Sequence, residues 1–557
     1  MASRFEWVLP SIPPPALESY PAAVARILGA RGLATESQAE QFFARTSNSP
    51  ADPFLLQDME RAVERLAQAL HDEELVVVYG DYDADGLTAT SLLMRYLGSL
   101  GFRVRHYIPN RFDEGYGLNA AAVEEVAKWG AGLLVTVDCG VRAVEQVELA
   151  RGLGMDVIIT DHHHLGPALP EALAVIDPKR PGDSYPIDFL SGVGLAFKLA
   201  QGLSARLDVP DPAQFLDLVA LGTIADIAPL QGENRRLVAE GLSRINETPR
   251  VGLAALIDAS GLRQGGIDAT AVAFGLAPRL NAAGRLETAE SAFRLLMTDD
   301  PGEAAEGAAA LNRANQQRQQ LTRKMVELAR GPGLRTGPEA PLIISIHPDF
   351  NEGIVGLAAA RLADEFYRPA IVARQDGDQV RGSARSIPGF HITEALTSCQ
   401  DLLTRFGGHA AAAGFVARTE DLDRLIERLL AYAKARRTSM PERPRLHIDA
   451  VVERAELDDG LLDYLDAFEP CGEGNARPVF LLHQALVTEK RAVGRDRRHL
   501  KLMLASGGRY LAGIAFRQGD RAEECSGRVD VVFHFERNEY MGVVTQQANV
   551  LDFSPSS

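Results

Sequence analysis

The sequence is poor in the features that staple or anchor a chain. Its 557 residues hold four cysteines, Cys139, Cys399, Cys471 and Cys525, and no CxxC pair. A disulfide framework and a zinc ribbon are therefore excluded, and a reducing cytoplasm is the expected setting. No apolar run reaches the ~20 residues that cross a bilayer, and the first residues lack a basic-then-apolar leader pattern, so no membrane partner is expected. Positive charge is also scarce. Lys and Arg number 58 against 75 Asp and Glu, a formal net charge of −17. That excludes a polycationic nucleic-acid coat but leaves room for a local basic track, or for acids that hold metal ions.

What remains is an ordinary globular composition, 46% hydrophobic and 24% charged. At roughly 150 residues per domain the length suggests three or four domains. Residues 1–50 carry Trp7 and a proline cluster (Pro10, Pro13–Pro15) and read as an arm that packs on the domain after it. From Leu75 to Asp177 five short β-branched runs, LVVVYG, FRVRHYI, LLVTVD, VIITD and LAVID, are mostly separated by helical stretches. Such runs, buried on both faces, indicate a parallel α/β sheet. Residues 192–330 are mainly helical. Pro301 and Gly331-Pro332 bracket an unbroken helical pattern, polar all round in its middle (RANQQRQQLTRK), which suits a helix bridging two domains. A second α/β segment starts at LIISIH, a proline-containing linker spans 436–445, and several strand-like runs after it suggest a small β-barrel, an OB-fold first. The expected division is an arm (1–50), a catalytic domain (51–300), a connecting helix (301–335), a smaller α/β domain (336–440) and the barrel (441–557).

The sharpest chemical feature is Asp81-Tyr82-Asp83-Ala84-Asp85-Gly86, directly after the first of the five runs. An EF-hand loop begins the same way, but it needs a Glu at position 12 and a helix in front; here Leu92 and a strand stand in those places. Three acids at one strand end repel one another unless a cation sits among them. Two further runs end similarly, in Asp138-Cys139-Gly140 and in Asp161-His162-His163-His164. Ligands of open α/β sheets bind beyond the carboxyl ends of the strands, so the three clusters are expected on one edge. Carboxylates mixed with imidazole and no thiolate suit Mn²⁺ best and Mg²⁺ next. The acids suffice for two ions ~3.5–4 Å apart, the arrangement that hydrolyses phosphoesters.

DYDADG, VTVDCG and DHHH resemble the signature motifs of the DHH phosphoesterase superfamily. IPNRFDEGYGLN (108–119), GTIADIAPLQGENR (222–235), PRLNAAGRL (278–286), GSARSIPGF (382–390), FGGHAAAAGF (406–415) and FEPCGEGNARPVF (468–480) resemble, in order, blocks of its RecJ family of bacterial single-strand exonucleases. The likeness runs from about Trp7 to the C-terminus. It implies a DHH domain, a DHHA1 domain reached by a long helix, and a C-terminal OB-fold. It further implies that Asp83 binds one ion and Asp85 the other, that Asp138 bridges them, and that His162 and Asp226 complete the second ion's ligands. Asp81 is then a neighbouring carboxylate, and His163 faces the scissile phosphate. Asp226 is chosen on the resemblance alone; from the residues it reads as a helix cap.

Arg111, Arg279, Arg285, Ser383 and Arg385 stand in motifs that contact DNA phosphates in the family, and the guanidinium fork suits that task. For any one of them the alternative is a surface charge. Gly407-Gly408-His409, before an alanine run, reads as a helix N-terminus whose amides hold an anion, or as close packing through small residues. Lys490, Arg491, Arg495, Arg497, Arg498 and Lys501 form a basic cluster opposed only by Asp496, either a single-strand track or a solvated face. One departure from the family stands out: Phe350-Asn351 occupies the place of a usual Trp-His.

The residues point to metal-dependent hydrolysis of phosphodiesters, and the resemblance implies a 5′→3′ exonuclease on single-stranded DNA, releasing mononucleotides in repair and recombination. The resemblance implies a monomer that works with single-strand-binding protein and a RecQ-type helicase. A small-substrate phosphodiesterase competes, and the barrel argues against it. A non-catalytic replication scaffold also competes, and the full set of acids argues against that.

Overall fold

The computed structural model describes residues 3–11, 17–43, 50–110, 114–115, 117–247, 249–286, 288–337, 339–540 and 542–556. Pro13–Pro15 and Arg111 lie outside these described residues. A first short strand, β1 (Glu6–Val8), belongs to the N-terminal segment. The catalytic sheet comes next: β2 (Leu75–Tyr79), β3 (Arg103–Tyr107), β4 (Ala131–Val137), β5 (Asp156–Thr160) and β6 (Ala174–Ile176). All five are parallel, in the order β3-β2-β4-β5-β6.

Alternation along each strand builds two cores. Val76, Val78, Val135 and Ile158 face a large helical layer that includes the helices Met59–His71, Ala84–Ser99 and Gly192–Leu207. Val77, Tyr79, Leu134 and Ile159 face the helices Ala120–Lys128 and Val144–Gly152. Strand β3 departs from the two-sided burial expected of it. It is an edge strand with one neighbour, and its arginines Arg103 and Arg105 are exposed. The alternating R-V-R-H-Y pattern is what an edge tolerates.

The helix Pro301–Arg330 is 30 residues long, ~45 Å at 1.5 Å per residue. Asp300 caps it, accepting from the Glu303 amide at 2.8 Å. Its two ends are buried in different cores: Ala304, Ala308 and Leu311 in the catalytic domain, Met325, Val326 and Ala329 in the next. A helix anchored this way spaces two bodies and needs no apolar stripe between them. The second body holds β7 (Ile343–His347), β8 (Ala370–Asp376), β9 (Gln379–Arg385), β10 (Leu403–Gly408) and β11 (Ala412–Arg418), ordered β10-β11-β9-β8-β7.

The alanine run after Gly407-Gly408-His409 corrects an expectation. It is not a helix N-terminus but the return arm of a hairpin, β10 pairing with β11 and β11 with β9. Helix propensity favours alanine by only a few tenths of a kcal/mol per residue over most others. Here Phe415 and Ala417 alternate inward, and cross-strand pairing overrides it.

The C-terminal region contains β12 (Arg445–His447), β13 (Ala450–Val451), β14 (Phe480–Val493), β15 (His499–Ser506), β16 (Arg509–Ala515), β17 (Arg528–Tyr540) and β18 (Val543–Pro555). Strands β14-β15-β16-β18-β17 close through a β14–β17 pairing into a five-stranded barrel. Strand β12 instead pairs in parallel with β1. The N-terminal segment is thus joined to the barrel rather than to the catalytic sheet next to it in sequence. Val24, Ile27 and Leu28 are fully buried in the barrel's own core cluster. Asp552, wholly buried, accepts from Trp7 Nε1 at 3.0 Å and from Arg521 Nη1 at 2.8 Å. No helix among the described residues is long and apolar enough to cross a membrane.

Candidate metal centre

Register brings the acids together. Tyr79 lies beside Thr136, Val137 beside Thr160, and Thr160 beside Ile176. Asp81, Asp138, Asp161 and Asp177, just past these positions, therefore emerge along one edge. Strands β2 and β4 flank the point where strand order reverses, the place where open α/β sheets bind ligands.

Each side chain has a local reason for its position. Asp83 caps the helix Ala84–Ser99, accepting from the Asp85 and Gly86 amides at 3.0 and 3.1 Å. Asp85 is buried under the start of the helix Gly192–Leu207 and accepts from the Gly192 and Val193 amides at 2.7 and 2.9 Å. Residue 192 must be glycine, because a β-carbon there would lie 2.5 Å from that of Asp138. Asp138 itself sits at φ 61°, a left-handed conformation that Asp tolerates better than most residues. His162 Nε2 lies 3.0 Å from Asp138 Oδ1, 3.7 Å from Asp226 Oδ2 and 4.0 Å from Asp85 Oδ2. Asp161 accepts from the Val141, His162 and His163 amides and meets His163 Nδ1 at 2.7 Å, which fixes that ring.

Asp226 comes from the opposite direction, at the C-terminus of the helix Leu216–Ala225. An acid there opposes the helix dipole, so its presence has to be repaid by something other than capping. The turn after it is a Schellman closure: Ala228 N–H donates to Thr223 O and Ile227 N–H to Ile224 O, both at 3.2 Å. The position that normally takes glycine is Ile227, at φ 61° and 68% exposed. A β-branched residue held there stores on the order of 1–3 kcal/mol.

Three groups of ligand atoms result, each within 4.8 Å: Asp81, Asp83 and Asp138; Asp85, His162 and Asp226; and Asp138, His162 and His163. Burial, then the charges of Asp226 and Asp83, holds the Asp85 carboxyl well above the usual range. Asp138 is raised likewise by burial and by Asp85, Asp83, Asp81 and Asp226. Asp226 is pushed up to about 7, by burial and then Asp83. His162 is driven down to about 3, mainly by burial and by its neighbour His163, and so stays neutral. Crowded carboxylates that resist ionisation and a neutral imidazole are a donor set that divalent cations complete.

Ser383 and Arg385 sit on β9, with Arg385 Nη1 donating to Ser383 Oγ at 3.0 Å and to the Ala384 carbonyl at 2.8 Å. Gly356 adjoins them and leaves them uncovered; a β-carbon there would sit 3.0 Å from Arg385 Nη2. His409, in the β10–β11 turn, reaches across to the DHHH segment, its ring 5.4 Å from that of His164. Gly407 and Gly408 form that turn's first arm. Arg279 is taken up by the fold, donating to Asn312 Oδ1 on the long helix at 3.0 Å and to Gly275 O at 2.6 Å. Arg285 lies in the last turn of the helix Ala277–Leu286. Asn351 serves a turn, accepting from the Gly353 amide at 2.9 Å, and Phe350 is buried in the second body.

Three contributors are not expected from the sequence: the Gly192 and Val193 amides that hold Asp85, Asp177 at the end of β6, and Lys179, whose Nζ donates to the His162 carbonyl. The strand-end pattern that marks Asp138 also marks Asp177 and could have found it. Nothing in the sequence marks the amides.

Family models match three parts of the chain: the DHH family N-terminal domain at residues 75–223, the DHHA1 domain at 339–435 and the RecJ OB domain at 448–552. The single-stranded-DNA-specific exonuclease RecJ of Bacillus subtilis (strain 168) is 38% identical over 537 residues, 96% of this chain and 68% of that protein. The chain belongs to the RecJ family. Crystal structures of RecJ from Thermus thermophilus with Mn²⁺ and with Mg²⁺ superpose with TM-scores of 0.86 and 0.80. Each is 33% identical and covers 100% of this chain, which spans 80% and 79% of those chains. The α/β DHH domain, the DHHA1 domain on its long helix and the OB barrel are thus the family's architecture, and RecJ structures bind Mn²⁺ or Mg²⁺.

Proposed function

We propose that the protein is a single-stranded-DNA-specific exonuclease that hydrolyses phosphodiester bonds from the 5′ end with two divalent ions, Mn²⁺ favoured and Mg²⁺ accepted. The observation that carries this reading is the convergence of Asp83, Asp85, Asp138, His162 and Asp226 from four separate chain segments on one sheet edge. Its support from similarity is the RecJ relatives, named for single-stranded DNA, and their structures with Mn²⁺ and Mg²⁺.

In this reading Asp83, with Asp81 beside it, would hold one ion, Asp85, His162 and Asp226 would hold the other, and Asp138 would serve both. When bound, the ions supply an activated water and neutralise the charge that develops as phosphorus is attacked in line. The rest falls to the protein. The Gly192 and Val193 amides keep Asp85 from turning away, and Asp161 fixes the His163 ring. Burial pulls His163 toward neutrality, but the Asp161 hydrogen bond and the charges of Asp161, Asp81 and Asp83 outweigh it and favour the imidazolium. A cationic His163 suits a scissile phosphate. Ser383 and Arg385 grip the 5′-terminal phosphate, which carries more charge than an internal diester and rewards a fork of donors, and Arg111, outside the described residues, is assigned to the same phosphate from its motif alone. In this reading the enzyme acts in DNA repair and recombination, as a cytoplasmic monomer supplied by single-strand-binding protein and a RecQ-type helicase.

A time course on 5′-labelled and on 3′-labelled single strands, with Mn²⁺, Mg²⁺ or EDTA, tests the reading. It predicts immediate release of labelled mononucleotide from the 5′-labelled strand only, and no release in EDTA. Label lost first from the 3′ end, or cleavage in EDTA, would contradict it.

A further inference from the structure

The Asp226 turn leads from the metal centre out of the catalytic domain to the barrel. Four residues beyond Asp226, Leu230 N–H donates to Glu473 O at 2.7 Å, and Gln231 Nε2 donates to Gly474 O at 2.6 Å. Glu473 and Gly474 lie in the loop that leads into the barrel's first strand. Four residues further on, Arg235 is buried and donates to Phe42 O at 2.6 Å in the N-terminal segment, and to Ala467 O and Phe468 O at 3.0 and 3.3 Å. Its guanidinium also covers the Phe42 ring at 4.1 Å. The stretch from Asp226 to Arg235 therefore ends in three fastenings, all to the barrel and its arm.

Between these fastenings and the metal centre sits the strained Ile227. Its side chain is mostly exposed and offers little packing to fix a left-handed backbone, so the constraint comes mainly along the chain from both sides. One side is the Schellman closure of the helix. The other is the barrel. A cavity of about 540 Å³, lined by Ile227, Leu230, Phe274, Cys471 and His534 among others, adjoins the turn and gives it room to move if released.

We propose that the contact between Pro229–Gln231 and the barrel loop Cys471–Ala476 is a positioning device, with Gln231 as a positioning residue, that holds Asp226 where it can ligate. The barrel then does more than bind DNA: its docking sets the affinity for the ion that Asp226, Asp85 and His162 hold, and leaves the ion of Asp81 and Asp83 untouched. This rests on the two-ion reading of the centre.

The test is Mn²⁺ binding to the full-length protein, followed by the loss of the free-ion electron paramagnetic resonance signal, which needs no turnover. Gln231→Ala removes the contact from one side. Gly474→Ala wedges it from the other, since that residue has φ +69° and a β-carbon there would lie 3.2 Å from Gln231 Cδ and Pro229 Cβ. Both variants should bind one of two Mn²⁺ ions ~10-fold more weakly, the usual loss when a ligand's supporting partner goes, and the other ion unchanged. Gln231→Lys, which can still donate to the Gly474 carbonyl, should restore most of the loss. Asp226→Asn should weaken the same ion. Equal weakening of both ions, or no weakening in either variant, would overturn the inference while leaving the two-ion reading intact. A wild-type protein that binds a single Mn²⁺ would overturn both.

Discussion

The catalytic sheet edge and the basic end of the barrel are both clusters of like charge, and they are built in opposite ways. At the sheet edge Asp85 and Asp138 are 1% and 2% exposed and fixed by backbone amides or by a constrained backbone. On the barrel Arg495, Arg497 and Arg498 are exposed and surround an open cavity of about 930 Å³ with His499 and Arg517. Buried like charges are costly unless a counter-ion arrives; exposed ones are solvated and cost almost nothing. The first cluster therefore announces a ligand by its own energetics, and the second does not.

The largest effect expected from breaking this contrast is at Asp138. Asp138→Ala removes the carboxylate proposed to serve both ions while leaving Ser383 and Arg385 in place. Cleavage should fall on the order of a thousandfold or more, about 4 kcal/mol of barrier, with single-strand binding within a few-fold. A folded variant that keeps a tenth of the wild-type rate would remove Asp138 from the centre.

Arg385 sharpens the comparison from the second body, where a half-buried arginine is proposed to grip a phosphate. Arg385→Ala should lower kcat/KM on 5′-phosphorylated strands by ~10- to 100-fold, the worth of a hydrogen bond to a charged group, and much less on 5′-hydroxyl strands. Equal losses on both would assign Arg385 to an internal phosphate or to the fold.

Protons compete with ions only at the buried cluster. Asp226, raised to about 7, and Asp85 and Asp138, also raised, keep protons in the metal-free fold that the unfolded chain has already lost. The stability this contributes is present below the ordinary carboxylate value and is lost as pH rises through the raised values. Mn²⁺ must displace the Asp226 proton, and that group alone should make its affinity climb by up to ~10-fold per pH unit as pH rises toward about 7, with no further gain from it above. The rise in Tm on adding Mn²⁺ should accordingly be larger at pH 8 than at pH 5, and Asp226→Asn should flatten the climb. A Tm gain independent of pH would contradict the assignment.

The same contrast explains what can be read from the residues alone. The strand-end acids declare themselves because D-x-D-x-D-G, V-D-C-G and D-H-H-H each come directly after an apolar run, and parallel pairing has one edge for all of them. The long helix is legible from Pro301 and Gly331. The β10–β11 hairpin is not, because F-G-G-H-A-A-A-A carries alanine, whose local preference is weak against sheet pairing. Strand β18 opens on Val543-Val544-Thr545, but Gln546, Gln547 and Asn549 interrupt the run, and its place is set by twelve paired residues of β17. The fastening of residues 1–50 to the barrel joins segments more than 400 residues apart, as between Trp7 and Leu446, and leaves no local signal. It also changes what a truncation means: cutting after Pro444 strips Val24, Ile27 and Leu28 of their core, roughly 1.5–3 kcal/mol each, so the barrel is better probed by point substitution.

The smallest expected effect is at the basic end of the barrel. Lys490 is already engaged, donating to Ala522 O at 2.8 Å, and Arg498 faces Asp496 at 3.8 Å, so Arg495 and Arg497 are the cations best placed for phosphate. They lie just past the far end of the 14-residue strand β14, up to ~45 Å of extended chain from the loop that meets the catalytic domain. DNA held there is remote from the cut. Arg495→Ala with Arg497→Ala should therefore leave kcat on short strands unchanged and weaken binding of long strands a few-fold. The slope of log affinity against log salt should flatten by ~0.7 for each phosphate no longer neutralised. An unchanged slope on long strands would show that these arginines are solvated surface, and the two clusters would then differ in function as well as in burial.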